Sequence, residues 1–547
     1  MAQNAWSPPT RRELPVILVR GFGGLNVDEA KKVAYQGFND GTVYPGKRGE
    51  NYIYEGLVLR FLKSRYGYQD ATNVVGYYAN PITDQVQPDQ LPPELRDIDP
   101  SFFSGSIVID IGMARHLLLE VPDPARTVWV FRYYDLDDRN LPVFGAALMR
   151  VIDFIGALAR AKGATSPQKV NIIAHSLGGL VVREAVQSSY PDRIAKWDGV
   201  TGPRPASADD AINKIVTLGT PHKGISFDII QNWIGQAADE LNHFDPDYQK
   251  NPDHADSYLH FAEHFPLERL LTVVGTNYHT YGVQAASLLN RFFSIPGEYG
   301  MNYNRSDGLV KQDSAQIPGA PRTFVHKCHG GVDSLVTSRE AFEISTRFFL
   351  GNVRVRLRML SAQITRGFDL FGKSEFYFGV SIKPRYIDFE LFHQSADAEN
   401  CYGPFSTADM SDSPVAFDFA GDNRLIWEGQ LDVRSILNDP DNTTKDAVIR
   451  AEFYLGERDL FGIGFSDNVI FHQQYYLRAV LQPNQPVTIF LHQDEQFQVD
   501  STSGVPLTAT SDGWQFDVSG SGFTATFGVE LAMVPEDGWP APLLPQP

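Results

Sequence analysis

The chain has 547 residues, of which 43% are hydrophobic and 21% charged, a composition typical of a folded protein with more than one domain. Its formal net charge of −19 argues against a nucleic-acid partner and against electrostatic docking on anionic lipid, because both need a basic surface. A neutral, apolar substrate is compatible with this charge. The two cysteines, Cys328 and Cys401, are too few and too far apart for a disulfide framework or a metal cluster.

The N-terminal residues lack the apolar core of a signal peptide. No stretch approaches the roughly 18 uninterrupted apolar residues of a membrane-spanning helix. We therefore expect no transmembrane segment. The localisation stays open between the cytoplasm, secretion after trimming of a leader, and export without a leader.

Residues 15–19, Pro-Val-Ile-Leu-Val, predict a buried strand that runs into Arg20-Gly21-Phe22-Gly23-Gly24. Glycines in such a loop let backbone amides approach a ligand closely. Residues 25–125 look like an insertion, with a helix expected from Tyr54 to Arg65. Residues 79–100 carry five prolines and predict a long loop.

A second strand is predicted from Thr127 to Tyr134, and Asp135, Asp137 and Asp138 follow it. A calcium site is one interpretation of the three aspartates. We favour a solvated turn, because their spacing is not that of an EF-hand loop. Apolar residues at helical spacing from Phe144 to Leu158 then predict an amphipathic helix.

The most informative stretch is 169–186, where Val170 to Ala174 predict a short buried strand and the following apolar residues recur at helical spacing. Between them lies Ala174-His175-Ser176-Leu177-Gly178. A nucleophile elbow needs this strand–turn–helix context and small residues two before and two after the serine. An ordinary turn containing a serine is the alternative, and the flanking elements favour the elbow. The serine hydroxyl would lie above a helix N-terminus, whose amides favour negative charge.

Three further strands are predicted over 214–218, 270–274 and 322–327. The first is followed closely by His222, a weak candidate for a general base, because the base comes last in the chain order Ser, Asp, His. Residues 226–266 interrupt the strand series and contain an apolar, amphipathic segment. They fit either a mobile lid over an acyl pocket or a helical insertion packed permanently on the domain.

The stretches Pro-Val-Ile-Leu-Val-Arg-Gly-Phe-Gly-Gly and Ala-His-Ser-Leu-Gly-Gly together resemble bacterial lipases and esterases of the α/β-hydrolase superfamily, over about residues 15–350. The resemblance implies a mostly parallel sheet with helices on both faces, and an oxyanion hole made by the backbone amides of Phe22 and Leu177. It also implies that Asp307, in Asn-Arg-Ser-Asp-Gly-Leu-Val, is the triad acid. These enzymes usually carry histidine where this chain has Arg20, but backbone donors do not depend on that side chain.

Two histidines compete for the role of the base. His326 lies within the predicted last strand, whereas His329 follows the strand and precedes Gly330-Gly331. We favour His329, because a catalytic base belongs just past a strand end. In this assignment Ser176 attacks the ester, His329 carries the proton and Asp307 orients the imidazole.

After Gly351 the pattern changes to strand-like alternation, which predicts a second, β-rich domain, a sandwich, over 352–547 after a catalytic domain over 1–351. Asp-Leu-Phe-Gly occurs at 369–372, and Asp-Leu-Phe-Gly again at 459–462. The first is faintly similar to the opening of C2-type lipid-binding domains, though too short to carry calcium ligands over. Docking on lipid or polymer and a structural role both fit, and the short junction favours the structural role.

The expected activity is that of a serine carboxylic-ester hydrolase, a lipase or esterase, acting on a lipid or another ester without cofactor or metal. An acyltransferase or a phospholipid deacylase with the same triad is one alternative. A catalytically inactive binding protein on a hydrolase fold is another, with Arg20 as its support. The acyl-chain length, the alcohol and the oligomeric state stay open.

Overall fold

The structure is a computed structural model. It describes residues 13–21, 56–133, 136, 140–164, 168–195, 204–225, 243–278, 305–331, 333–365, 374–385, 387–411, 424–433, 445–458, 468–482, 485–494, 504–534 and 541–545.

A seven-stranded sheet organises the first half of the chain. Its order is β2-β5-β1-β6-β7-β8-β9, and every neighbouring pair is parallel. A separate antiparallel pair is formed by β3 and β4. The strands of this half are β1 (Val16–Val19), β2 (Gln69–Asp70), β3 (Val75–Ile82), β4 (Gly105–Ile109), β5 (Thr127–Phe131), β6 (Val170–His175), β7 (Ile212–Leu218), β8 (Leu270–Gly275) and β9 (Arg322–Val325).

Both faces of this sheet are buried, which explains why its strands are continuous apolar runs. In β1, Ile17 and Val19 belong to one core cluster while Val16 and Leu18 belong to the other. The longer helices cover the two faces. The described helices are α1 (Leu57–Lys63), α2 (Ile111–Glu120), α3 (Leu141–Ala161), α4 (Leu177–Glu184), α5 (Tyr190–Ala195), α6 (Ala208–Ala211), α7 (Pro246–Lys250), α8 (Phe261–His264), α9 (Arg339–Leu350) and α10 (Thr407–Ser411), and a π-helical turn (Ala185–Ser189) joins α4 to α5.

Helix α3 lies in the core of the first half. Among the described helices it alone has the length and composition that could cross a bilayer, with a mean hydropathy of 1.7, and 72% of that window is buried within the fold. The helix begins where the Asn140 side chain accepts a hydrogen bond from the Val143 amide. Its burial is that of a core helix, which explains its unusually apolar sequence.

The parallel sheet, the helices on both faces and the sharp turn between β6 and α4 form an α/β-hydrolase fold, which confirms the predicted fold class. Two boundaries differ from the sequence prediction. The helix expected from Tyr54 begins at Leu57, and the last strand ends at Val325, two residues early. The region expected to be a loop over 79–100 begins with the second half of β3 and continues through short 3₁₀ turns that start at prolines.

The second half of the chain is β-rich, as predicted. Two antiparallel sheets, in the orders β13-β10-β20-β19-β18 and β12-β11-β14-β15-β16-β17, pack as a sandwich, and β21 pairs with β20. Aromatic rings join the sheets: Phe453 of one stacks on Phe527 of the other at 4.3 Å between centroids. The strands are β10 (Val353–Ile364), β11 (Glu375–Pro384), β12 (Tyr402–Phe405), β13 (Leu425–Leu431), β14 (Lys445–Arg458), β15 (Asn468–Leu481), β16 (Thr488–His492), β17 (Val505–Pro506), β18 (Thr508–Ala509), β19 (Trp514–Gly520), β20 (Phe523–Met533) and β21 (Ala541–Leu543).

The β-rich half is joined to the first half of the chain along strand β9, one edge of the parallel sheet. The His393 amide donates to the Phe324 carbonyl at 3.0 Å, and the Thr323 hydroxyl donates to the Leu391 carbonyl. Phe392, fully buried, packs edge-on against Phe324 at 5.4 Å. The edge strand is therefore covered by the second half instead of being exposed to other chains.

Several predicted features lie outside the described residues: Asp135, Asp137 and Asp138, and both Asp-Leu-Phe-Gly fragments. So does the segment 226–242, the first part of the predicted lid. Its continuation, 243–266, packs on the end of helix α4, where the buried Arg183 and Gln187 side chains donate to backbone carbonyls of residues 255–257. Lid motion stays a prediction.

The contact at β9 predicts that the two halves unfold together. Phe392→Ala should lower the free energy of unfolding by about 3–5 kcal/mol, because it leaves a cavity in a fully buried position. Scanning calorimetry should show one transition at a lower temperature. Val469→Ala, at a side chain that is 56% exposed, is the control and should leave the transition unchanged. A separate, unshifted transition of the first half would contradict this coupling.

Candidate active site

Ser176 occupies a strained turn between β6 and α4. Its φ of 54° lies in the left-handed region, which only one other non-glycine residue among those described, Glu399, enters. A side chain on Gly178 would place its Cβ 2.5 Å from the Val19 carbonyl oxygen, and one on Gly21 would place its Cβ 2.4 Å from the Ser176 Cβ. Close packing of the β1 and β6 ends thus explains the small residues around the serine.

The Ser176 hydroxyl contacts a histidine and not its own helix. Ser176 is the N-cap residue of α4, yet its side chain makes no capping hydrogen bond. Its Oγ lies 2.9 Å from His329 Nε2, and His329 Nδ1 lies 2.8 Å from Asp307 Oδ2. All three side chains are buried, with relative exposures of 8%, 3% and 1% for Ser176, His329 and Asp307. The arrangement is that of a nucleophile, a base and an orienting carboxylate.

The Asp307 carboxylate is held by its own turn. Its Oδ1 accepts hydrogen bonds from the Leu309 and Val310 amides at 3.0 and 2.7 Å, which leaves Oδ2 for the imidazole. The His329 amide also donates to the Asp307 carbonyl at 2.8 Å. The carboxylate thus accepts three hydrogen bonds, two from backbone amides and one from the imidazole. The Asp-Gly-Leu-Val motif is therefore the turn that fixes the acid.

His175 is a second histidine of the site, which the sequence analysis did not identify. Its ring lies 4.8 Å from that of His329, and its Nε2 is 2.9 Å from the His329 carbonyl oxygen. Burial, with the neighbouring His329, holds the pKa of His175 well below its usual value. The ring is therefore neutral at pH 7, and its Nε2–H donates to that carbonyl. The sequence shows that His175 directly precedes the elbow serine, but it does not show the contact of His175 with the His329 carbonyl, which lies 154 residues away.

The remaining predicted site residues are placed as follows. Leu177 is the first residue of α4, so its amide belongs to the turn that has no acceptor within the helix. Phe22 lies outside the described residues. His326 Nδ1 is 3.2 Å from Thr276 Oγ1, and its ring faces His393 at 5.7 Å. The structure thus brings Ser176, His329 and Asp307 together and places His326 elsewhere.

The described residues offer no cluster of three or more His, Cys, Asp or Glu side chains arranged for a metal ion. Both cysteines are buried free thiols. Cys328 lies next to His329 in sequence, but its sulfur contacts the Gly330 and Asp333 carbonyls.

Comparison with known proteins gives a family match around the elbow. Residues 145–236 match the model of the family described as "Putative serine esterase (DUF676)". No curated protein matches the chain. The match spans helix α3, the Ser176 turn and strand β7, and it supports ester hydrolysis as the reaction class.

Among solved structures, a lipase of Bacillus licheniformis, BlEst2, is similar at 13% identity, covering 62% of this chain and 94% of that one with a TM-score of 0.29. The metagenomic carboxyl esterase MGS0156 is similar at 12% identity, with coverages of 60% and 70% and a TM-score of 0.26. The phospholipase PlaB of Legionella pneumophila is similar at 11% identity, with coverages of 72% and 93% and a TM-score of 0.27. These scores are low, and no inference about this chain depends on them.

The space around Asp307 gives a test of the geometry. Gly219, with φ +55°, faces the carboxylate so closely that a Cβ there would lie 2.7 Å from Asp307 Oδ2. We expect Gly219→Ala to displace the carboxylate and to lower kcat on a p-nitrophenyl ester by roughly 10²- to 10⁴-fold. Gly67→Ala is the matched control, because Gly67 has φ +64° and open space around it. Equal kcat values for both variants would contradict the steric argument.

A buried histidine predicts the response of stability to acid. His222 is fully buried with Nε2 3.0 Å from Thr217 Oγ1, and burial, with Arg183 and Lys223, holds its pKa well below the usual value. The unfolded chain takes up this proton below about pH 6.5 and the folded chain does not, so stability falls as the pH falls from about 7 to about 5.

We expect His222→Gln to lose less stability over this pH interval than the wild type does, as measured by urea denaturation at both ends of it. The difference cannot exceed about 1.4 kcal/mol per pH unit for one group. His116→Gln, at an exposed histidine, is the control and should keep the wild-type pH dependence. An unchanged slope in His222→Gln would show that this residue is not the buried neutral group.

Proposed function

We propose that this chain, whose parallel sheet and sharp turn at Ser176 form an α/β-hydrolase fold, is a serine carboxylic-ester hydrolase that forms an acyl-enzyme on Ser176. One observation carries the proposal: the hydrogen-bonded series from Asp307 through His329 to the Ser176 hydroxyl, at 2.8 and 2.9 Å. The strained, uncapped conformation of the serine supports it.

In the proposed reaction the Ser176 Oγ attacks the ester carbonyl while His329 Nε2 accepts the hydroxyl proton. His329 then donates this proton to the leaving alcohol, and the acyl group stays on Ser176. A water molecule then gives a proton to His329 and attacks the acyl carbon. His329 returns this proton to the Ser176 Oγ as the bond to the acyl carbon breaks and the acid leaves. Asp307 fixes the imidazole tautomer, so that Nε2 is the basic nitrogen, and stabilises the imidazolium.

The negative charge that develops on the carbonyl oxygen needs donors. The Leu177 amide is the first, because it follows the nucleophile at the start of helix α4, where the helix dipole also favours an anion. The resemblance to lipases suggests the Phe22 amide as the second. We propose His175 as a positioning residue: its neutral ring holds the His329 backbone while the imidazole changes charge.

The wider reaction class has two other candidates, an acyltransferase and a phospholipid deacylase with the same triad. In the acyltransferase an acceptor other than water takes the acyl group from the serine. In the phospholipid deacylase the leaving group is a phospholipid alcohol. An inactive binding protein would not need an aligned serine, and the 2.9 Å contact between Ser176 Oγ and His329 Nε2 argues against it. For the β-rich half we propose a structural role, because it covers the edge of the catalytic sheet.

Covalent labelling tests the nucleophile. A fluorophosphonate probe should modify Ser176, identified by peptide mass mapping, because it phosphonylates activated serines. Ser176→Ala should lose labelling and lower kcat on p-nitrophenyl esters by on the order of 10⁶-fold. His329→Ala should be as inactive, and the double variant little worse, since triad members act as a unit.

His326→Ala is the matched control for the base. Its ring contacts Thr276 and His393 and not the serine, so activity should persist. Full esterase activity in Ser176→Ala, or an active His329→Ala beside an inactive His326→Ala, would show that the assignment is wrong.

A further inference from the structure

Arg20 lies at the active site but has no part in the proposed reaction. It follows the last residue of β1, and β1 pairs with β6 so that Val19 lies opposite Ala174, two residues before the serine. A Cβ on Gly178 would lie 2.6 Å from the Arg20 carbonyl oxygen. The Arg20 backbone is therefore packed against the elbow, and its side chain begins within one residue of the expected oxyanion loop.

The Arg20 guanidinium is incompletely partnered. Its Nη1 is buried and has no hydrogen-bond acceptor among the residues that the structure describes. The residue as a whole is half-buried. The ion pairs found in the described ranges do not include Arg20, and its charge contributes to lowering the pKa of His175. The positive charge of Arg20 thus affects the pKa of His175, and one of its hydrogen-bond donors lacks an acceptor among the described residues.

An unused donor on a buried cation is costly, because the group has lost water without gaining a partner. Buried polar groups in folded proteins are almost always satisfied, and exceptions need an explanation. Guanidinium matches carboxylate and phosphate in shape and charge, since it can donate two parallel hydrogen bonds to either. The missing partner of Arg20 is therefore expected to be an anion that arrives from outside.

The neighbouring strand end adds positive charge. Phe131 of β5 lies opposite Val19 of β1, so Arg132 follows β5 just as Arg20 follows β1. The Arg132 guanidinium lies 5.4 Å from the ring centroid of Tyr77. Arg132 and Arg20 therefore follow neighbouring strands at the edge of the sheet where Ser176 follows β6.

We infer that Arg20 binds an anionic group, a carboxylate or a phosphate, carried by the ester substrate, so that the enzyme prefers acidic esters over neutral ones. The inference rests on the proposed function and adds a substrate class to it. The same chemistry has two sources, a soluble ester with a carboxylate on its acyl chain and a phospholipid with a phosphate near its acyl esters.

Two substrate pairs separate these sources. The first pair is p-nitrophenyl pentanoate and mono-p-nitrophenyl glutarate, which differ by a terminal methyl or carboxylate. The second pair is diacylglycerol and phosphatidic acid with the same acyl chains, in micelles of a neutral detergent. The measured quantity is the ratio of kcat/KM for the anionic member to kcat/KM for the neutral one. The wild type should show a ratio of roughly ten or more in at least one pair, and that pair identifies the source.

Arg20→Gln should lower this ratio by roughly 10- to 100-fold, the range expected for one lost charge-assisted hydrogen bond. Arg20→Lys should recover part of it, because the charge returns without the second donor. Arg115→Gln is the matched control: it removes the same charge from a side chain that is 51% exposed and pairs with Glu94. Its ratio should equal that of the wild type.

A measurement on the wild type alone covers the case in which Arg20→Gln does not fold. Its ratio should shrink between about 20 mM and about 500 mM NaCl, because salt screens the pairing. Four outcomes would overturn the inference and leave the proposed hydrolase intact. Two concern the wild type: activity without a preference in either pair, and a preference that salt does not change. The other two concern the variants: an equal loss of kcat/KM on both members of a pair in Arg20→Gln, and the same drop of the ratio in Arg115→Gln. A wild type inert on all four esters, and unlabelled by fluorophosphonate, would overturn the proposed function and the inference together.

Discussion

The candidate active site depends on the close approach of strands β1 and β6 at their carboxyl ends. This approach leaves room only for glycine at positions 21 and 178, and it holds Ser176 in a left-handed conformation at φ 54°. The conformation is unfavourable for a serine by about 1–3 kcal/mol and persists only where the surrounding structure imposes it. Here the imposing structure is a parallel sheet buried on both faces, with helix α4 fixed directly behind the turn. The conformation of Ser176, the proposed nucleophile, follows from this packing.

The other groups come to the serine from separate strand ends. Asp307 and His329 lie in the segments before and after β9, and each is fixed mainly by backbone hydrogen bonds. Backbone donors hold their positions better than flexible side chains, so the imidazole has one orientation before substrate arrives. His175 adds a neutral hydrogen bond to the His329 carbonyl. A protonated His175 would repel the imidazolium of His329, and the burial of His175 disfavours its protonation.

Patterns of neighbouring residues in the sequence predict the features of the site and the fold that form within one short segment. The elbow around Ser176, the strand series and the β-rich second half follow from apolar periodicity and turn residues. The choice between His326 and His329 depended on where β9 ends, and the strand stops at Val325, before both. The role of His175 and the tight space at Gly219 were not predictable. Each depends on a contact between residues far apart in sequence, such as the 2.7 Å approach to Asp307 Oδ2.

The β-rich half has a structural link to the catalytic chemistry through the edge of the sheet. Strand β9 is the last strand of the sheet, and the segment after it carries His329. An edge strand has one side of its backbone unpaired, so its end would fray most easily. The His393 amide bonds the Phe324 carbonyl of this strand, and Phe392 packs against the Phe324 ring. Because displacement of a catalytic base by about 1 Å costs on the order of 10² in rate, we expect the contacts of the second half with β9 to help hold His329, the proposed base, in position.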